Sequence, residues 1–376
     1  MAAVSLHDDH LGLDLADGRD WLEEFAFRYG RSYDSYFATE PGRECFWSWG
    51  WRGAVATVRT GRYLHVSGGL LAPPEHQEAL LAQLVQRADA RREVLTFFNV
   101  PEEDLPLFCR LGFQVTKWGE EALVDLPSCT WSGKEFEWVR RQSNFCRRHG
   151  LTASECRREW TSAAEWERLI AEIAEVSSLF LADKPQSGEI QQLEGNFNPD
   201  CLGRKRIFVA RADQGKGRIE GFLACNPGCG GATWTMETYR RRPDAVRGTI
   251  PFLIHQAMQD LQGEGVGRVS LCLIPGRGCR EPLPGDSRLA RWGIVVGTRY
   301  FNPLFDAAGS YHFKTRFRPR FESRYLCVRP RMTVGSAWAL VRLLGVLKLD
   351  LKKLGQILVE RWKKRASRAT LFVSEA

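Results

Sequence analysis

The stretch Trp234-Thr-Met-Glu-Thr-Tyr-Arg-Arg-Arg-Pro-Asp-Ala-Val-Arg-Gly-Thr249 decides how this chain is read. Upstream, Gly230, Gly231, Ala232, Trp234 and Met236 spell a glycine-rich, alternating strand entering a crowded core. Downstream, Ile250, Ile254, Ala257, Met258 and Leu261 recur at steps of three and four, the spacing of one helix face. Between them stand one carboxylate, Glu237, and four arginines: Arg240, Arg241, Arg242 and Arg247. A strand-to-helix junction aims backbone N–H groups and a helix N-terminus at its ligand, which favours anions. An anion site is the sharper reading; a solvated arginine-rich loop is the plain one.

Working outward, the first half reads as a helix at 18–29 and strands at 45–50, 54–59 and 63–66. A helix from Pro74 to about Arg91, a strand at 94–99, a helix at 102–111 and strands at 113–116 and 122–126 follow. The second half repeats that order. A helix at 164–181 precedes strands at 206–212, 219–225 and 232–237, then the helix 250–261, a strand at 268–273 and a helix at 287–292. Strands near 311–317 and 325–328 close it. The expected fold is α/β, two tandem units with mixed sheets flanked by helices, over 1–160 and 161–330; 331–376 forms a third piece.

Lys and Arg number 53 against 45 Asp and Glu, a net +8 in 376 residues, which suits a polyanionic partner such as nucleic acid or an anionic membrane. Eleven cysteines lack paired C-x-x-C spacing. They read as buried thiols in a reducing cytoplasm, with no metal site. The first ten residues carry aspartates and no apolar run, so no signal peptide is expected. No apolar stretch reaches the roughly 18 residues a bilayer span needs.

Three further segments carry charge. A helix at 135–149 sets Arg140, Arg147 and Arg148 on one face, either a basic docking stripe or a solvated face. In residues 311–325, Lys314, Arg316, Arg318, Arg320 and Arg324 alternate with Phe313, Phe317 and Phe321. That period predicts a strand with its bases on one side, for phosphate binding or for edge protection. From 336 to 366 leucines recur at alternating steps of four and three, with Lys348, Lys352 and Lys353 beside them. Such a helix fits the protein's own core, a homodimer seam or an anionic membrane surface.

The element order is that of the N-acetyltransferase fold. There the loop before the central helix is a glycine-rich cradle for coenzyme A. Here residues 240–249 offer a single glycine, Gly248, which argues against acyl-CoA as donor and leaves no cofactor expected. Four stretches then resemble one family. They are Val94–Val100 with Leu111-Gly-Phe113, and Lys117-Trp-Gly-Glu-Glu-Ala-Leu-Val-Asp-Leu126. The others are Glu237-Thr-Tyr-Arg240 with Arg242-Pro-Asp-Ala245 and Gly248, and Phe313-Lys-Thr-Arg-Phe317 with Pro319 and Arg324-Tyr-Leu326. From about Phe37 to Val328 the chain resembles the catalytic domain of the aminoacyl-phosphatidylglycerol synthases (multiple peptide resistance factor type).

The resemblance implies aminoacyl transfer from charged tRNA to a lipid hydroxyl such as that of phosphatidylglycerol. It places the family's essential acid and arginine on Glu237 and Arg240, and its basic pair on Lys314 and Arg316. Arg242, Arg247 and Arg324 join these as substrate-binding candidates. Glu237 stands where the family usually has Asp, and Ser67-Gly-Gly69 where it usually has Gly-Asp-Pro; a counterpart of the membrane-spanning flippase half of many members is not expected in these 376 residues. Glu237 is either a base or an orienting group for the amino function. The implied setting is cytoplasmic, peripheral to the inner face of the membrane. A Fem-like transferase acting on a peptidoglycan precursor and a non-catalytic tRNA- or lipid-binding module are the competing readings.

Overall fold

The computed structural model describes residues 15–183, 197–300 and 307–344. The first half runs α1 (Leu15–Tyr29), β1 (Glu44–Trp47), β2 (Ala54–Thr60), β3 (Tyr63–Leu71), α2 (Pro74–Ala90), β4 (Val94–Pro101), α3 (Leu105–Arg110) and β5 (Gln114–Asp125). Then come α4 (Glu137–Arg148), β6 (Thr152–Cys156), α5 (Ala163–Asp183), β7 (Arg206–Arg211), β8 (Ile219–Gly228), β9 (Thr233–Arg241), α6 (Thr249–Gly263) and β10 (Arg268–Pro275). The chain closes with α7 (Arg288–Tyr300), α8 (Ala307–Thr315), β11 (Arg320–Arg329) and α9 (Val334–Leu343).

In each half antiparallel strands lead to a crossover helix and a parallel neighbour: β3–α2–β4 and β9–α6–β10. A parallel pair needs such a crossover, and the result is two acetyltransferase-like units. Their closing strands are exchanged. β11 lies between β4 and β5, antiparallel to both, and β5 pairs with β10. All eleven strands therefore form one mixed sheet, ordered β1-β2-β3-β4-β11-β5-β10-β9-β8-β7-β6.

Both faces of the second half are covered, as its near-continuous apolar strands require. Phe208, Leu223, Trp234 and Met236 pack under α6 with Val139 and Cys146 of α4. Ile207, Val209, Ile219 and Phe222 pack under α5. The segment after α1 bridges the halves: Ser35 Oγ donates to the Gly68 carbonyl, and the Cys229 N–H donates to the carbonyl of Gly30. Gly68, at φ +84°, permits this approach, since a Cβ there would lie 2.6 Å from the Ser35 carbonyl oxygen.

Two expectations give way, and one strand went unread. Residues 311–317 are not a strand; they lie in α8 and the turn after it, before Pro319. Phe313 and Phe317 alternate with bases but are also four apart, and helix spacing wins because both rings meet Trp138 of α4. The two strands at 113–116 and 122–126 are one twelve-residue strand, β5. β6 went unread because an exposed edge strand, Thr152-Ala-Ser-Glu-Cys156, shows no apolar face.

Candidate active site

β9 and β10 pair only over Thr233–Thr235 and Arg268–Ser270, then part. Past that point each strand carries an irregularity. In β9, Met236 pairs with Cys225 and Thr238 with Ala224, so Glu237 is one residue too many for its partner strand. Before it, Trp234 and Met236 pack in the core under α6; after it Tyr239 packs there instead. Glu237 turns to the other face, where its Oε2 accepts hydrogen bonds from Asn226 Nδ2 (3.0 Å) and Thr238 Oγ1 (3.1 Å). Arg240 follows on that face, 4% exposed, donating to Ser177 Oγ of α5. Strict alternation would have set Glu237 and Arg240 on opposite faces. The bulge brings them to one.

In β10 the register with β5 shifts between Ser270 and Leu273, and Cys272 takes φ +65°. Side chains from three other elements hold this kink. Ser270 Oγ accepts the Cys272 N–H (3.1 Å) and donates to Glu121 Oε1 of β5. Glu121 Oε2 in turn accepts from Arg324 Nε of β11 (2.7 Å), and Arg324 also reaches Glu322 (3.0 Å). Burial works against the Arg324 charge, but Glu121 and Glu322 outweigh it and keep its pKa above the ordinary value. From the far side Lys314 Nζ donates to the carbonyls of Leu273 (2.8 Å) and Cys272 (3.3 Å). Burial pushes the Cys272 thiol well up; Lys314 opposes this, while Glu237, Glu121 and Asp34 add to it. A thiol so held is a poor nucleophile. Burial likewise raises the Asp34 carboxyl, against hydrogen bonds from Ser32 and Asn99.

At the junction before α6 the chain lies against α4. Gly248 caps the helix at φ +98°, and a Cβ there would lie 2.8 Å from Gln142 Oε1 and 3.4 Å from Cys146 Sγ. α4 thus closes over the helix start. Arg242 donates to the Ile219 carbonyl (2.8 Å) and to both oxygens of Glu175 (2.9 and 3.0 Å), a hydrogen-bonded pair that raises its pKa. Arg247 is exposed. On α4, Arg147 and Arg148 are exposed and Arg140 donates to the Trp131 carbonyl (3.2 Å). Arg316 is exposed over the Trp138 ring, 5.7 Å from its centroid. Lys348, Lys352 and Lys353 lie outside the described residues.

Among the described residues no cluster of His, Cys, Asp and Glu could hold a metal, and no helix is long and apolar enough to cross a membrane. Sequence reasoning passed over Asn226, Glu121, Cys272 and Asp34. Only Glu121 carried a signal, standing inside the quoted Lys117–Leu126 stretch without a role.

Comparison with known proteins decides the relationship. A family model described as phosphatidylglycerol lysyltransferase, C-terminal, matches residues 24–328. The chain belongs to this family. A phosphatidylglycerol lysyltransferase of Bacillus subtilis is 24% identical over 296 residues, covering 78% of this chain and 33% of that protein. The chain spans about a third of the length of the phosphatidylglycerol lysyltransferases it matches. Among solved structures, the C-terminal domain assigned to a lysylphosphatidylglycerol synthetase of Agrobacterium fabrum superposes with a TM-score of 0.70. Identity there is 23%, over 87% of this chain and 95% of that one. The L-PGS of Bacillus licheniformis gives 0.69 at 21% identity, over 88% and 97%. At these identities the two structures support the fold of this phosphatidylglycerol lysyltransferase-family chain.

Proposed function

We propose that this chain transfers an amino acid from aminoacyl-tRNA to a lipid hydroxyl such as that of phosphatidylglycerol. The observation that carries the reading is the β9 bulge, which sets Glu237 and Arg240, the family's acid and arginine, on one face beside the parted strands. An aminoacyl ester is already activated, so catalysis needs positioning, modest base assistance and charge stabilisation. Glu237 takes the proton of the attacking hydroxyl, the new ester forms, and the bond to the tRNA ribose oxygen breaks. Glu237 passes that proton to the ribose oxygen, which leaves as a hydroxyl. Asn226 and Thr238 fix the carboxylate for this step.

Arg242, Lys314 and Arg324, each held by protein partners, act as positioning groups for the two strands. Arg247 and Arg316 face solvent and suit phosphate contacts. Closure of the α6 start by Gln142 and Cys146 favours a donor other than a coenzyme A thioester. The basic segment 331–376 would seat the enzyme peripherally on an anionic leaflet.

The test is lipid analysis after incubation with charged tRNA and phosphatidylglycerol vesicles. Glu237→Gln is expected to lower product formation by about 10²–10⁴-fold, the usual range for a lost acid–base group, while leaving the melting temperature near that of the wild type. Arg240→Ala is expected to abolish product as well. Equal product from wild type and both variants would refute the assignment.

A further inference from the structure

Both parallel pairs of the sheet part at their carboxyl ends, and the two partings are built alike. β3 and β4 pair over Tyr63–Val66 and Val94–Phe97 and then diverge, as β9 and β10 do. β10 sets Leu271 and Cys272 opposite Ala122 alone, with Cys272 at φ +65°. β4 sets Phe98 and Asn99 opposite Leu326 alone, with Asn99 at φ +56°. The leading strand is irregular in both: Glu237 is the extra residue of β9, and Gly68, Gly69 and Leu70 of β3 stand opposite Val55 alone. Parallel sheets take their ligands in the crevice beyond the carboxyl ends of the strands. This fold therefore repeats the crevice. The first has glycines at its bulge where the second has Glu237, so it is equipped to bind a molecule and not to carry the transfer.

A cleft of about 350 Å³, part of it open to solvent, occupies the first crevice. That is the small end of the range for small-molecule sites and suits a ligand of amino-acid size. Gly69, at φ +76°, borders the cleft, and a Cβ there would meet nothing within 4 Å. Tyr29, Phe97 and Phe108 line it with rings. One cation and one anion line it too. Arg31 is exposed and donates to both oxygens of Asp104, just before α3, and to Gln77 Oε1 of α2 (3.4 Å). Burial raises the Asp104 carboxyl even beside Arg31, so its charge would gain from a second cation. Paired opposite charges beside an apolar cleft are the complement of a zwitterion. A ligand carboxylate meets the guanidinium, a ligand ammonium meets the carboxylate, and the side chain enters among the rings.

We infer that the crevice between β3 and β4 binds a free α-amino acid with an apolar side chain. Arg31 and Asp104 hold its two charges, and Gly69, Phe97 and Phe108 border its side chain. This site is separate from the one at Glu237 and does not rest on the aminoacyl-tRNA reading above.

The probe is L-leucine, titrated calorimetrically into the full chain beside leucinamide, which lacks the carboxylate, and N-acetylleucine, which lacks the ammonium. Leucine is expected to bind saturably. Each control is expected to bind about tenfold or more weakly, the effect of losing one hydrogen-bonded charge. Arg31→Gln and Asp104→Asn should each lower leucine affinity by a similar factor, with thermal melting to establish that the variants fold. Gly69→Asn leaves the charge pair in place, because Asn tolerates the left-handed backbone, and its side chain takes up cleft space. It should abolish leucine binding. Glu237→Gln changes the second crevice alone and should retain that binding.

No saturable binding of leucine, valine or phenylalanine by wild type overturns the inference. So does binding of leucinamide or N-acetylleucine as tight as that of leucine. Wild-type leucine affinity in Gly69→Asn overturns it whether or not the charge variants fold. Loss of leucine binding in Glu237→Gln, with Gly69→Asn unaffected, assigns the amino acid to the second crevice and overturns it as well.

Discussion

At Glu237 a single extra residue determines which face of the sheet receives a carboxylate, and Asn226 then holds that carboxylate from the neighbouring strand. The residue type was legible from the sequence; its face and its partner were not. Two histidines make a related point about burial. His255 is buried under α4, with Nδ1 2.8 Å from Ser143 Oγ, and burial together with Arg147 and Arg140 lowers its pKa to about 4. His65 is enclosed in β3, and burial alone lowers its pKa to about 4. Both are neutral in the native state, whereas the unfolded chain takes up protons below about pH 6.5. Their contribution is therefore fully present above that pH and is lost as pH falls towards 4, on the order of 2–4 kcal/mol for each histidine. Urea midpoints measured at pH 7 and pH 5 should drop more for wild type than for His65→Leu. An identical pH dependence in the two proteins would contradict this.

Among the elements, β10 depends most on what surrounds it. Its kink at Cys272 is tied to β5 through Glu121, to β11 through Arg324 and to α8 through Lys314. Removing one partner of a buried ion pair leaves the other charge uncompensated, which costs about 3–5 kcal/mol, whereas removing both costs far less. Glu121→Leu should accordingly destabilise by that amount, and Glu121→Leu with Arg324→Leu should recover most of it. A double variant no more stable than the single one would show that the pair does not act as a unit. The period-two pattern of bases at 314–320 predicted a strand for this support, and α8 supplies it instead. Phe313 and Phe317 satisfy both periods, so only their contact with Trp138 separates helix from strand.

For the whole molecule, the consequence of strand exchange is that neither half completes its own sheet. Without β11, β4 and β5 both present open edges at what is now the centre. Unpaired edges over an apolar face recruit other chains. Residues 1–160 expressed alone should therefore aggregate, and co-expression with residues 161–376 should recover soluble material that co-purifies as a pair. A monomeric, cooperatively melting 1–160 fragment would rule out this dependence. The acetyltransferase-like order in each half was readable from strand and helix periods, because those are local. The exchange was not, because β11 is equally well formed beside β5 in either arrangement.

The sequence by itself determined the family, the types of side chain gathered at Glu237, Arg240 and Lys314, and the element order apart from β5, β6 and α8, since periodicity and motif depend on residues near one another in the chain. Tertiary structure alone decided which face each side chain occupies and which charges are already neutralised. Arg242 is met by Glu175 and Arg324 by Glu121, partners 67 and 203 residues away. The bulge at Glu237 likewise exists only as a mismatch between β8 and β9. Register between strands and the pairing of distant charges are relations between segments, fixed when the core closes, and no local pattern encodes them.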